Sequence, residues 1–155
     1  YAVTALCEVL SIRLREKLRE EKSGVYFVSV SPNFSKIPEQ KSSISVYFGC
    51  DPGRVEELLG DVSKEMEWMQ KNLVDDTYIA KVKEMQTKER EVALRTNRFW
   101  LNSMRALVRD EEPFSVVNKR PQMIAALNAK AIQATAKKYL ATTDVTTLVL
   151  KPEVK

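Results

Sequence analysis

The stretch Arg15-Glu16-Lys17-Leu18-Arg19-Glu20-Glu21-Lys22-Ser23-Gly24-Val25-Tyr26 sets the frame of the chain, because a helix must end and a strand begin inside it. Upstream, Leu6, Val9, Leu10, Leu14 and Leu18 recur at helical spacing and predict one apolar stripe from Tyr1 to about Lys22. Gly24 is expected to stop that helix, since glycine takes a left-handed C-terminal conformation without steric cost. Val25-Tyr26-Phe27-Val28-Ser29-Val30 follows, with the β-branched and aromatic content of a strand.

Working outward, Ile44, Val46 and Phe48 alternate with Ser43, Ser45 and Tyr47, which predicts a half-buried strand paired with the first as a hairpin. Pro32-Asn33 is expected to break the first strand, with a polar loop through Gln40 between the two. Asp51-Pro52 reads as an N-cap and first turn, leading Val55, Leu58, Leu59, Val62, Met66, Met69 and Leu73 along one helix face. Asp75-Asp76-Thr77 caps a third helix with Ile79, Val82, Met85, Gln86 and Val92 on its apolar side. Thr96 to about Arg109 reads as a fourth helix whose Phe99, Trp100, Met104, Leu107 and Val108 are expected in the core. Pro113 and Pro121 bracket an irregular connection, followed by a short helix from Gln122 and a longer one capped by Asn128. The run Asp144-Val145-Thr146-Thr147-Leu148-Val149-Leu150, closed by Lys151-Pro152, predicts a third strand buried on both faces.

The order α-β-β-α-α-α-α-β predicts an α+β fold: a two-layer α/β sandwich with an antiparallel-rich sheet covered on one face by helices. Residues 1–155 read as a single domain, and the chain is long enough to bury roughly 70% of its unfolded surface. The first helix starts without a capping residue, which predicts further structure upstream of Tyr1.

Composition narrows the chemistry. Hydrophobic residues at 44% and charged residues at 30% are ordinary for a soluble globular protein. The net charge is +4, but the signs interleave, as in Arg13-Leu14-Arg15-Glu16-Lys17-Leu18-Arg19-Glu20, so a nucleic-acid-binding stripe is not expected. No apolar run is long enough to span a membrane. Cys7 and Cys50 make no disulfide framework and read as small hydrophobic residues. The chain has no histidine, which removes the usual ligand of zinc hydrolases and the usual activator of nucleophiles. No Gly-rich phosphate loop and no nucleophile elbow is present. A metal site is therefore not expected in this chain, and the polypeptide alone should be inactive.

The run Arg13 to Tyr26 resembles the R-x-x-x-x-L-R-E-x-x-G-x-x-Y stretch in the C-terminal, non-zinc half of the pitrilysin/insulinase zinc peptidases, with Ser23 at the place of the pattern's glycine and Gly24 one residue later. Phe48-Gly49-Cys50-Asp51-Pro52-Gly53-Arg54-Val55 resembles the strand-to-helix corner of that half, residues 128–140 its late helix, and Leu148-Val149-Leu150-Lys151-Pro152 its closing strand. The resemblance runs in order along nearly the whole chain. It implies a half-domain of the mitochondrial processing peptidase/LuxS fold, shortened at its N-terminus. It implies a substrate-binding, non-catalytic lobe that closes over a zinc-bearing N-terminal half, or a separate catalytic subunit, on an extended peptide substrate. Zinc is then the cofactor of the other half, and none is expected here.

By that resemblance Arg19 and Tyr26, seven residues apart, are the substrate-binding residues. A guanidinium holds a peptide carbonyl through its fixed fork of donors, and a phenol donates to a developing oxyanion. Read from the residues alone, Arg19 could equally pair with Glu16 or solvate the helix end, and Tyr26 could be an ordinary sheet aromatic. A metal-free adaptor subunit of a peptidase-like complex is the alternative role for the whole lobe, and a free-standing interaction module a third. Bacterial members of the family are often exported, which points the compartment towards the periplasm.

Overall fold

The computed structural model describes residues 1–140 and 144–151. Its elements are α1 (Ala2–Leu14), a π-helix (Arg15–Glu21), β1 (Val25–Ser35), β2 (Lys41–Cys50), a 3-10 turn (Pro52–Arg54), α2 (Val55–Lys71), α3 (Asp76–Ala93), α4 (Asn97–Arg109), α5 (Ser115–Asn118), α6 (Arg120–Ala126) and α7 (Ala129–Tyr139). The architecture is α+β: a two-stranded antiparallel sheet lies on a helical layer built around α1.

Helix α1 is more than amphipathic. Val3, Ala5, Leu6, Cys7, Val9, Leu10, Arg13 and Leu14 are all buried, because β1, α2, α3 and α7 surround it. Leu58, Val62 and Met69 of α2, Ile79 and Val82 of α3, and Ile132 and Ala136 of α7 close the core over it. The caps expected from the sequence form. Asp51 accepts from the Gly53 amide at 2.9 Å, Asp75 from Thr77 at 2.8 Å, Thr96 from Phe99 at 3.3 Å and Asn128 from Ala131 at 2.9 Å. Each satisfies an amide of the first turn that has no partner within the helix.

The hairpin is longer than its composition suggests. Pro32 does not end β1 but pairs across with Ile44, and the ladder continues to Ser35 opposite Lys41. Both strands are edges, so a residue without an N–H is tolerated where that position faces outward. Val28, Val30, Ile44, Val46 and Phe48 face the helices, while Ser29, Ser31, Asn33, Ser43, Ser45 and Tyr47 are exposed on the other face. One face is therefore covered and one is wet.

Three expectations are corrected. Val145–Leu150 forms no strand among the described residues, and Leu148 and Leu150 are 92% and 100% exposed. β-Branched composition makes a strand only where another strand supplies hydrogen-bond partners, and among the described residues β1 and β2 are paired with each other alone. Pro152 of the same run lies outside the described residues. Second, residues 115–118 between the two prolines are a helical turn, with Pro121 seated in the first turn of α6. Third, the left-handed residue after the first helix is Ser23, at φ 48°, and not Gly24.

Gly24 has a different task. A Cβ there would lie 2.8 Å from Leu58 Cδ2 and 3.1 Å from Arg54 Nη1, and Leu58 is fully buried. The missing side chain lets the helix-to-strand turn close onto α2. Gly24→Ala is expected to cost about 1–3 kcal/mol through forced displacement of Leu58, readable as a lower urea midpoint at unchanged slope. An unchanged midpoint would show that the contact relaxes freely.

Both cysteines are free thiols. Burial, and secondarily the Glu8 carboxylate, pushes the Cys7 thiol up to about 11 from 9.0. The folded state therefore favours the protonated thiol. That contribution to stability is full below pH 9.0 and is lost as pH rises through about 11. Maleimide labelling of the native chain at pH 8 is expected to modify half-buried Cys50 and spare Cys7, as read by peptide mass spectrometry. Equal labelling would contradict the packing of α1.

Candidate functional site

The turn between the first helix and β1 is irregular on both sides. From Arg15 to Glu21 the backbone is π-helical, so the amides reach back five residues instead of four. The extra residue per turn re-aims the side chains of this segment, including exposed Arg19. Past the turn, β1 carries a bulge. Val25 pairs with Cys50 and Phe27 with Gly49, which leaves Tyr26 without a cross-strand partner. The bulge also explains why Val25 and Val28, three residues apart, are both buried, since a regular strand would put them on opposite faces. Tyr26 is 75% exposed.

The turn is held against α2 by charge. Lys22 Nζ donates to Glu57 Oε1 at 3.1 Å and to Asp61, and Arg54 Nη1 donates to the Lys22 carbonyl at 3.2 Å. Hydrogen bonds from Arg54 and then Lys22 hold the Glu57 carboxyl below its ordinary range, and the bond from Lys22 does the same for Asp61. The folded state favours both carboxylates, so the stability this tether lends is full above the ordinary carboxylate range and is lost as pH falls below that range, through the lowered values of the folded state. Lys22 and Gly24 thus fix the platform from which Arg19 and Tyr26 project.

The structure places Arg19 and Tyr26 on the two arms of one turn, both open to solvent. It shows no hydrogen bond between them and no partner for either side chain among the described residues. Arg19 does not pair with Glu16, because Glu16 accepts from the Tyr78 hydroxyl at 2.5 Å and lies 3.4 Å from Lys81 Nζ. Tyr26 lies at the bulge, outside the regular ladder. Two neighbours belong to the same surface. Phe27, 45% exposed, packs its ring 5.3 Å from Tyr47, which is 69% exposed. Tyr47 had only the look of the polar half of an alternating strand, but Phe27 directly after Tyr26 breaks that alternation in the sequence itself.

Beneath the site, Arg13 of α1 reaches Glu65 of α2, which is fully buried. Lys17 Nζ lies 2.5 Å from the other carboxylate oxygen, a close charge contact without the direction of a good hydrogen bond. The Arg13 guanidinium sits 3.8 Å above the Trp68 ring and 5.2 Å from that of Tyr78. This network ties α1, α2 and α3 together one turn before the π-helix. Its sequence signal was available, since Glu65 stands on the apolar face of α2 between Val62 and Met69.

No donor set for zinc forms among the described residues. The chain has no histidine, and no three Cys, Asp or Glu side chains converge among the described residues. No helix among the described residues is long and apolar enough to cross a membrane.

The described residues form an α+β lobe whose sheet is covered by helices on one face and exposed on the other. Residues 1–86, more than half of the chain, match the family model described as the peptidase M16 inactive domain, and the chain belongs to that family. No curated protein matches it. Among solved structures it is similar to the periplasmic protease PqqL from Escherichia coli, at 21% identity and a TM-score of 0.72, over 90% of this chain and 15% of that one. It is also similar to a peptidase M16 inactive domain from Pseudomonas fluorescens, at 16% identity and a TM-score of 0.76, over 91% and 34% of the two chains. A protease from Helicobacter pylori gives 15% identity and a TM-score of 0.77, over 92% and 35%. The chain thus spans about a third or less of the solved chains it matches, and at these identities the likeness is one of fold.

Proposed function

We propose that this chain is the substrate-binding, non-catalytic lobe of a zinc-dependent endopeptidase, a C-terminal half-domain that closes over a zinc-bearing half on an extended peptide. The observation that carries the reading is the coincidence of two backbone irregularities with the two residues singled out by family resemblance. The π-helix holds Arg19, and the bulge isolates Tyr26. Such departures from regular geometry lengthen or break a hydrogen-bond ladder, and they gather where a side chain must be aimed.

The roles follow from the donors. Arg19 offers the planar fork of a guanidinium, and Tyr26 one hydroxyl, to the peptide carbonyl whose oxygen gains charge as its carbon is attacked. Phe27 and Tyr47 provide apolar surface for a side chain of the same peptide. The partner is the zinc-bearing half, joined in one polypeptide or supplied by a separate subunit. A periplasmic compartment accords with the location given for PqqL. The adaptor reading has no use for two solvent-directed donors on a braced turn, which is why the gripping role is preferred.

The test is kinetic. In the full-length gene product, Arg19→Ala and Tyr26→Phe are expected to lower turnover of an extended peptide while zinc content stays at the wild-type level. Wild-type turnover in both variants would remove the assigned roles.

A further inference from the structure

Helix α4 contradicts its own sequence pattern. Phe99, Trp100, Leu101, Met104, Leu107 and Val108 give it the apolar side of a core helix, yet only Leu107 is buried. Trp100 is 39% exposed, Leu101 58%, Met104 45% and Val108 71%. At helical spacing these four lie within roughly a third of the circumference, a continuous uncovered stripe. The stripe is already ordered. The Trp100 indole N–H donates to the Leu94 carbonyl at 2.9 Å, and Phe99 packs edge-on against the ring at 5.3 Å. A tryptophan fixed before its partner arrives loses little freedom on binding, and tryptophan, methionine and arginine are the residues that anchor interfaces.

Charge says what covers it. Arg98 and Arg105, seven residues apart, run along one flank of the stripe, and neither has an ion-pair partner among the described residues. Arg109 continues the same flank but is held by Asp110 at 2.7 Å. We infer that this face of α4 docks an acidic amphipathic helix of a protein partner, whose apolar residues meet Trp100, Leu101, Met104 and Val108 and whose carboxylates meet Arg98 and Arg105. An anionic lipid surface fits less well. Asp110, Glu111 and Glu112 close the C-terminal end of α4, and Lys36 holds that corner by donating to the Asp110 carbonyl at 2.6 Å. A flat anionic surface would cover that corner as well as the stripe, whereas a helix laid along Arg98 and Arg105 can end before it. A second copy fits less well too, because a two-fold contact along α4 would bring its arginine flank against itself.

The measurement is fluorescence anisotropy of a labelled amphipathic peptide of about 20 residues, long enough to hold a helix. It carries leucines on one face and glutamates on the flanks, and its control has lysine for each glutamate. The full 155-residue chain is expected to bind the acidic peptide and not the basic one. Arg98→Ala with Arg105→Ala is expected to weaken binding about tenfold, and Met104→Glu to abolish it. Circular dichroism checks that these exposed substitutions leave the fold intact. The inference fails if both peptides bind alike or neither binds. It fails equally if Met104→Glu instead dissolves a dimer seen in sedimentation, or if the chain floats with phosphatidylglycerol vesicles.

Discussion

Arg19→Ala, introduced into the full-length gene product, is expected on the proposed reading to reduce kcat by about 10²–10³-fold, the usual loss when one donor to a developing oxyanion is removed. The Michaelis constant should move much less, since a contact that strengthens only as charge develops contributes little to ground-state binding. Arg19→Lys should recover only part of the loss. The ammonium keeps the charge but not the planar fork, and it sits on a shorter, less directed stem. Tyr26→Phe should behave like Arg19→Ala, because it deletes one hydroxyl from a residue that no neighbour needs for packing. Steady-state kinetics on an extended fluorogenic peptide, with zinc measured by atomic absorption, separates the possibilities. A rise in the Michaelis constant at constant kcat would make the pair simple substrate clamps. Loss of zinc would mean that the lobe shapes the other half rather than the reaction.

Glu65→Ala is expected to lower the unfolding free energy by about 3–5 kcal/mol, read from urea denaturation. The carboxylate is fully buried, and its removal leaves the guanidinium of Arg13, a residue only 8% exposed, without its counter-charge. Stacking on Trp68 offsets part of that loss, but an aromatic face is a weaker partner than a carboxylate. Lys17→Met should cost about 1 kcal/mol or less, since that side chain is 43% exposed and water replaces its contact. The informative variant is the double replacement Arg13→Met with Glu65→Met. Removing both charges together restores a well-packed apolar seam and should return most of the stability. A cost below about 1 kcal/mol for Glu65→Ala would show that water reaches the pair.

What the sequence made legible followed from local rules. Asp51, Asp75, Thr96 and Asn128 each cap the helix that they precede, because a cap is decided by a handful of adjacent residues. The hairpin was readable for the same reason, through the Ile44-Val46-Phe48 alternation. The stripe of α1 placed the core correctly, although nothing local showed that the helix would be enclosed on several sides. The failures are of another kind. A strand or a buried helix face is completed by its neighbours, so Val145–Leu150 and α4 have apolar composition without the partners that would bury it. Val92, placed with the apolar side of α3, is 66% exposed for the same reason. Glu65 was marked by its place on the apolar face of α2, but its partner was not, since nothing local says that Arg13 stands opposite. Arg19 and Tyr26 were picked out by family resemblance; spacing alone could not show that one lies in a π-helix and the other on a bulge.

Both irregularities amount to one extra residue in an otherwise regular element, and a deletion of one residue would undo either. Removing one residue from the π-helix would return it to ordinary winding while the residues beyond kept their faces. Removing Tyr26 would restore plain alternation in β1, with Val25 and Val28 two residues apart on the same buried face. A substitution at Arg19 or Tyr26 changes a functional group, whereas a deletion at either place leaves the core as it is and takes away only the aim of the turn. The site is therefore the part of this lobe that shortening could erase without erasing the fold.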